Sequence, residues 1–301
     1  MNFNQLRIFY SVAKNNSVTL AAKELLLTQP AVSIQIHLLE EDHSVKLFNR
    51  SGKGVTITDE GKLLLSYAER IFNLSDEMEE ALRQMKSLSR GKLKIGSSRT
   101  IGSYYLPQLF ETFKLQYPGI EIQMDISNSS RVIEEILSFQ NDIGFIGIDY
   151  FHKNLVLKPF IKERLVLITP PDHELAHRKV ISFKELNGQK MVMRERGSGT
   201  AELIKQELMK NKVSVETVME LGSNEAIKRA VEAGLGVSII SNNVVRLEKD
   251  QGRIKVLHFS DSRDIIRYFY IVYHKDKYLS NLLRTFLDVA TEFSNQFHGT
   301  I

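Results

Sequence analysis

Apolar positions change their spacing twice along this chain, and each change marks a new kind of structure. From Phe3 to Glu40 they fall on short helical faces. Leu6, Phe9 and Ala13 share one side of a first segment, Ser17 to Leu27 forms a second, and Pro30 to Glu40 sets Ala31, Ile34 and Leu38 on one stripe with Leu39 beside it. Thr19 is the expected cap of the middle helix, and the small pair Ala21-Ala22 leaves room for the next helix to cross closely. Pro30 suits a first helical turn, where no backbone donor is needed. A tight connection at Thr28-Gln29 between two such helices predicts a helix-turn-helix, its second helix free to enter a major groove. Phe48 to Ile57 reads as a hairpin turning at Gly52 and Gly54, with Arg50 and Lys53 as a basic tip.

After Gly61 no Gly or Pro interrupts residues 59–89, and the apolar positions repeat by sevens. Leu64, Ile71, Met78 and Met85 form one row; Tyr67, Leu74, Ala81 and Leu88 form the other. Four heptads predict a two-stranded seam, so this segment is expected to dimerise the chain. Beyond Gly91 strands alternate with helices: strand 92–98, helix 104–117, strand 120–126, helix from about 131 to 139, strand 143–148. A second round begins near Leu165, with strands at 165–169, 190–194, 215–221, 237–240 and 268–273 and helices to about 210, at 224–232 and from about 279 to 293. Units of this length predict a parallel sheet covered by helices on both faces.

On the second helix of the head, Gln29, Ser33, Gln35, His37 and Glu40 are left to meet solvent or DNA. Gln29, Ser33 and Gln35 are the expected reading face, Thr28, Arg50 and Lys53 are expected to position the phosphate backbone, and Pro30 belongs to the same DNA-binding surface. Between Gln5 and Gly61 the chain resembles the N-terminal domain of the LysR-type transcriptional regulators. The match runs in order through Leu6, Phe9, Ala13, Ser17, Ala21, Ala22, Leu25, Gln29, Pro30, Ala31, Val32, Ser33, Leu39, Glu40, Leu47, Phe48, Arg50 and Gly61. Two positions depart from the pattern. The residue after Ser33, commonly basic in that family, is Ile34, and the glycine usual after the recognition helix is replaced near His43-Ser44.

The resemblance extends over the chain. It implies a winged helix-turn-helix at 1–58, a dimerising linker helix at 59–89 and a periplasmic-binding-protein-like effector domain at 90–301, with lobe one at about 91–163 and 267–301 and lobe two at about 164–266. It also implies a homotetramer built as a dimer of dimers, double-stranded promoter DNA and RNA polymerase as partners, and a small effector. Gly197-Ser-Gly-Thr200 and the segment from Leu221 to Gly236 resemble the branch of cysteine-biosynthesis and carbon-fixation regulators.

Loops that follow parallel strands are where such sheets bind small molecules, because helix N-termini there offer free backbone donors. Ser98, Arg99 and Thr100, then Ser127 and Asn128, then Ser198 and Thr200 occupy three such loops, Arg194 ends the strand before the third, and Asn224 starts a later helix. Hydroxyls with an arginine suit a small anion or carboxylate. Each hydroxyl is equally suited to capping a helix. Gly197 and Gly199 lack the Gly-Lys-Ser/Thr ending of a nucleotide loop.

Length and composition narrow the rest. A chain of 301 residues holds two or three cores, and 43% apolar with 25% charged residues is ordinary for a soluble protein. Absence of cysteine excludes disulfides, thiol catalysis and Cys-ligated metal. The eight histidines are dispersed without ligand spacing, and no serine has a nucleophile-elbow context, so neither metal, cofactor nor enzyme activity is expected. With no apolar run able to cross a bilayer and no secretory signal, the expectation is cytoplasmic. Residues 1–58 carry six basic against four acidic side chains, a net of +2, so DNA binding must rest on placement more than bulk charge. The reading is a sequence-specific DNA-binding regulator controlled by a small anionic metabolite. Its rivals are an effector-independent DNA-binding protein and a solute-binding module without specific DNA recognition.

Overall fold

Each helix of the head starts where a side-chain oxygen supplies the acceptor that the free backbone N–H groups lack. The computed structural model describes residues 1–51, 54–84, 91–260 and 265–296, in two compact units, Met1–Glu80 and Ala81–Ile301. In α1 (Phe3–Asn15), Asn2 accepts from the Gln5 N–H at 2.8 Å while the Gln5 side chain accepts from the Asn2 N–H at 3.0 Å, a reciprocal box. The cap of α2 (Val18–Glu24) is Ser17, which accepts from Leu20 N–H at 3.3 Å, and not the expected Thr19, which lies inside the helix. Thr28 caps α3 (Gln29–His43), accepting from Ala31 N–H at 3.4 Å. Where a glycine is usual, α3 ends on Ser44 in the left-handed conformation, φ 53°. Strands β1 (Phe48–Ser51) and β2 (Gly54–Ile57) pair antiparallel, and α4 (Asp59–Gln84) follows.

The buried face of α3 is Val32, Ile36 and Leu39, packed with Phe9, Val12, Ala21 and Ala22. Ile34 and Leu38, expected in the core, are exposed, and Ala31 is only half-buried. Both stripes are apolar at helical spacing, so the choice between them is made by the partner helices and not by α3 itself. Glu40 also reverses its expectation: it is buried.

The second unit begins with β3 (Gly91–Ser98), α5 (Arg99–Tyr104), α6 (Leu106–Gln116), β4 (Ile120–Ser127), α7 (Ser129–Leu137) and β5 (Ile143–Ile146). Strands β4, β3 and β5 are parallel neighbours, as their alternation with helices requires. The chain then runs through β6 (Leu155–Thr169), β7 (Val180–Ile181), β8 (Lys190–Arg194), α8 (Gly199–Lys210), β9 (Glu216–Leu221), α9 (Asn224–Glu232), β10 (Ser238–Ser241), α10 (Arg246–Asp250) and β11 (Lys255–Phe259). It closes with β12 (Ile265–His274) and α11 (Asn281–Asn295).

The strand expected at 165–169 is the end of a 15-residue strand, and β12 begins three residues before its expected start. These two long strands pair antiparallel with each other, and β12 is also antiparallel to β5, so the sheet is mixed and not parallel throughout. They run through two cores. Phe160, Ile161, Phe269 and Ile271 pack with Leu109, Phe113 and Phe286, whereas Leu165, Leu167 and Ile265 pack with Leu186, Met191 and Ile239. The body is therefore two lobes strung on one pair of strands. Among the described residues no helix is long and apolar enough to cross a membrane.

Candidate functional site

On the head, packing Val32, Ile36 and Leu39 inward turns the other face of α3 outward. Gln29, Pro30, Ser33 and His37 are exposed and Gln35 is half-buried. A groove of about 710 Å³ lies between α3 and the hairpin, lined by Ser33, Ile34, His37, Lys46 and Asn49 among others. Thr28 spends its hydroxyl on the cap, leaving it able to share that oxygen with a phosphate only through its proton. Arg50 sits on β1 opposite Val55; Lys53 lies outside the described residues. Beneath this face Glu40 joins α3 to the hairpin. One carboxylate oxygen accepts from Leu47 N–H at 2.8 Å and Phe48 N–H at 3.3 Å, and the other meets Lys46 Nζ at 2.8 Å. Burial alone would raise this carboxyl's pKa, but the Lys46 ammonium and the two backbone donors outweigh it and hold the pKa below the ordinary range.

Along α4, Leu64, Leu65, Ala68 and Phe72 turn into the head's own core, Phe72 meeting the rings of Phe3 and Tyr10 at 5.1 Å each. Leu64, expected in the seam, is thus partly buried against the head's core. Tyr67, Ile71, Leu74 and Met78 stay exposed at i, i+4, i+7 and i+11. Ala81 continues the helix; Met85 and Leu88 lie outside the described residues.

In the body the three expected loops meet between the lobes. Gly197, at φ 79°, approaches so closely that a Cβ there would stand 3.1 Å from Ser130 Oγ and 3.3 Å from Asn128 Nδ2. Asn128 caps α7 through Arg131 N–H at 2.9 Å, Ser127 Oγ donates to the Asn128 carbonyl at 3.3 Å, and Ser223 caps α9 through Ala226 N–H at 3.1 Å. Ser98 and Ser198 precede α5 and α8 and are buried, yet neither caps its helix with its hydroxyl. Thr100 Oγ1 accepts from Asn224 Nδ2 at 3.1 Å, and Asn224 Oδ1 accepts from Arg194 Nη1 at 2.8 Å.

The two arginines nominated as clamps share one carboxylate that the sequence reading overlooked. Glu195 pairs with Arg99 across the cleft and with the Nε of buried Arg194 at 2.9 Å. Burial lowers the Arg194 pKa and Glu195 opposes the shift. A second missed pair lies deeper: Glu163 on β6 and Arg267 on β12, both buried, form an ion pair. Glu163 also accepts from Tyr105 Oη at 2.8 Å and Ser241 Oγ at 2.7 Å, while Arg267 donates to Thr200 Oγ1 at 2.5 Å. Each is a charge within an otherwise strand-like run, which is the signal that could have exposed it.

A winged helix-turn-helix in one chain with a two-lobed α/β body and a polar interlobe cleft defines a ligand-sensing class of DNA-binding transcriptional regulator. The model of the bacterial regulatory helix-turn-helix protein, lysR family, matches residues 3–62, and that of the LysR substrate binding domain matches residues 86–294. The chain belongs to the LysR family of transcriptional regulators. It is 34% identical over 298 residues to the RuBisCO operon transcriptional regulator of Allochromatium vinosum, covering 99% of this chain and 98% of that protein. It is also 34% identical over 285 residues to the HTH-type transcriptional activator CmpR of Synechocystis, covering 95% and 93%. The Synechocystis CcmR regulatory domain in complex with 2-PG superposes with a TM-score of 0.63 at 30% identity, covering 67% of this chain and 97% of that one. Full-length CbnR with its target DNA shares the fold at a TM-score of 0.73 and 21% identity, covering 97% and 100%.

Proposed function

We propose that this regulator senses a small anion, carboxylate or phosphate ester, between its lobes, with Ser98, Arg99, Thr100, Ser127, Asn128, Arg194, Ser198, Thr200 and Asn224 forming the site. The observation that carries this reading is the Arg99–Glu195 pair: the cleft already holds a carboxylate against Arg99. An incoming anion would take over that arginine and gain the hydroxyls of Ser98 and Ser198, whose side chains cap nothing. The CcmR domain with 2-PG supports the same ligand class. Exchanging Glu195 for a ligand changes the carboxylate that Arg99 and Arg194 share, which gives the two lobes two alternative arrangements and so a switch.

For the head, we propose base reading by Gln29, Ser33 and Gln35 and phosphate positioning by Thr28, Arg50 and Lys53, with Pro30 part of the same DNA-binding surface at the start of α3. The exposed row Tyr67, Ile71, Leu74 and Met78 supports pairing of two chains through α4, with a dimer of dimers as the working assembly, RNA polymerase as a further contact and the cytoplasm as its place. The test is calorimetry of the full chain against phosphorylated and carboxylate metabolites, paired with footprinting of promoter DNA. Binding of one compound with a changed footprint is expected. No binding by any of them, with a footprint indifferent to all, would overturn the sensing role.

A further inference from the structure

Behind the cleft, a cavity of about 760 Å³ opens between the lobes, lined by Tyr104, Tyr105, Lys162, Asn243, Arg246 and Lys249 among others. That volume is within the range of small-molecule sites. Its charge is lopsided: Lys162, Arg246 and Lys249 face it against Asp250 alone. None of those three cations is engaged in an ion pair among the described residues, whereas Lys228, Arg229 and Arg253 on neighbouring stretches are all paired. The walls come from both lobes, Tyr104, Tyr105, Gln108 and Gln296 from one and Asn242 to Asp250 from the other, with Lys162 on the crossing strand β6.

One wall of this cavity is wired to the effector loop. Asn243 Nδ2 donates to Tyr105 Oη, Tyr105 donates to Glu163, Glu163 is paired with Arg267, and Arg267 donates to Thr200 at the start of α8. Burial and then the Glu163 carboxylate raise the Tyr105 pKa, so its hydroxyl stays a donor. We infer that this cavity is a second ligand site, for a multiply charged small anion held by Lys162, Arg246 and Lys249, and that its occupancy is passed through Tyr105, Glu163 and Arg267 to the loop at Gly197–Thr200. A ligand that touches both lobes must favour one arrangement of them over any other, which is what coupling to the cleft requires. Three unpaired cations around one opening suit an anion with more than one charged group, because a single charge would leave their mutual repulsion in place.

The experiment is calorimetric titration of the full chain with inorganic pyrophosphate and with citrate at fixed ionic strength. Saturable binding of at least one is expected, weakened about tenfold or more by Lys162→Gln or Arg246→Gln and changed by less than about twofold by Arg99→Gln in the cleft. No saturable binding of either, or binding lost in Arg99→Gln and retained in Lys162→Gln and Arg246→Gln, overturns the second site. The relay is read separately by amide hydrogen exchange over residues 195–201. Pyrophosphate or citrate should alter exchange there in the parent chain and leave it unaltered in Tyr105→Phe, which keeps the cavity's cations. Equal change in both, or change in neither, overturns the relay.

Discussion

Asn224 joins the two lobes through Thr100: its amide nitrogen reaches Thr100 Oγ1 at 3.1 Å while its amide oxygen takes Arg194 at 2.8 Å. One small side chain thereby fixes a buried guanidinium on its own lobe and the first turn of a helix on the other. Asn224→Leu would remove both bonds and leave Arg194 to Glu195 alone. The expected loss is about 1–3 kcal/mol of body stability, seen as a lower urea midpoint with unchanged slope. An unchanged midpoint would show that Asn224 contributes nothing to holding the lobes.

Glu195→Gln should free Arg99 from its internal carboxylate while preserving shape. Anion affinity is then expected to rise by about tenfold, since a charged competitor has become a neutral one. Calorimetry with whichever anion binds the parent protein checks this; lower affinity would mean that Glu195 helps to hold the ligand instead of vacating its place.

Glu40 makes the head sensitive to acid. Its folded pKa lies below its unfolded one, so the stability it contributes is complete above the unfolded carboxyl value, about 4.3, and is lost as pH falls through the lower folded value. Glu40→Ala should cost about 1.5–3 kcal/mol at neutral pH, because the N–H groups of Leu47 and Phe48 lose their acceptor. Thermal melts of both proteins down to acid should converge. A constant gap would assign the loss to packing.

Ser33→Ala and Gln35→Ala should each weaken binding to an identified operator by about 1–3 kcal/mol with less effect on unrelated DNA. Anisotropy titrations on both fragments separate this outcome from a uniform loss, which would make these residues phosphate contacts.

Ile71→Asp or Leu74→Asp places a charge in the exposed row of α4 and should shift the sedimenting species toward a single chain at micromolar concentration. The head's core is spared, because Leu65, Ala68 and Phe72 face the other way. An unaltered assembly would move the interface elsewhere.

The architecture was legible because its signals are local. A cap followed by an amphipathic run, or a strand followed by a helix, is written within a dozen residues. What escaped depends on partners far along the chain. The first two-thirds of β6 was hidden by Lys158, Lys162, Glu163 and Arg164, which break its apolar alternation. Glu163 is tolerated there only because Arg267, Tyr105 and Ser241 satisfy it. Likewise α3 offers two apolar stripes of similar quality, and only the packing of α1 and α2 selects Val32, Ile36 and Leu39. The loops of the cleft could be located from strand ends, but not the carboxylate of Glu195 that links their arginines.

The approach of Gly199 to Gly147 is main chain against main chain: a methyl group on Gly199 would stand 2.2 Å from the Gly147 oxygen. The same added carbon would stand 2.6 Å from Ile148 Cγ2, so at that seam the lobes meet like two hinge plates with no room for a washer. That closeness makes the seam unforgiving, for a single added carbon is a doorstop. Alanine at position 199 would offer a simple means of wedging the cleft apart and of learning which form of the protein a promoter responds to.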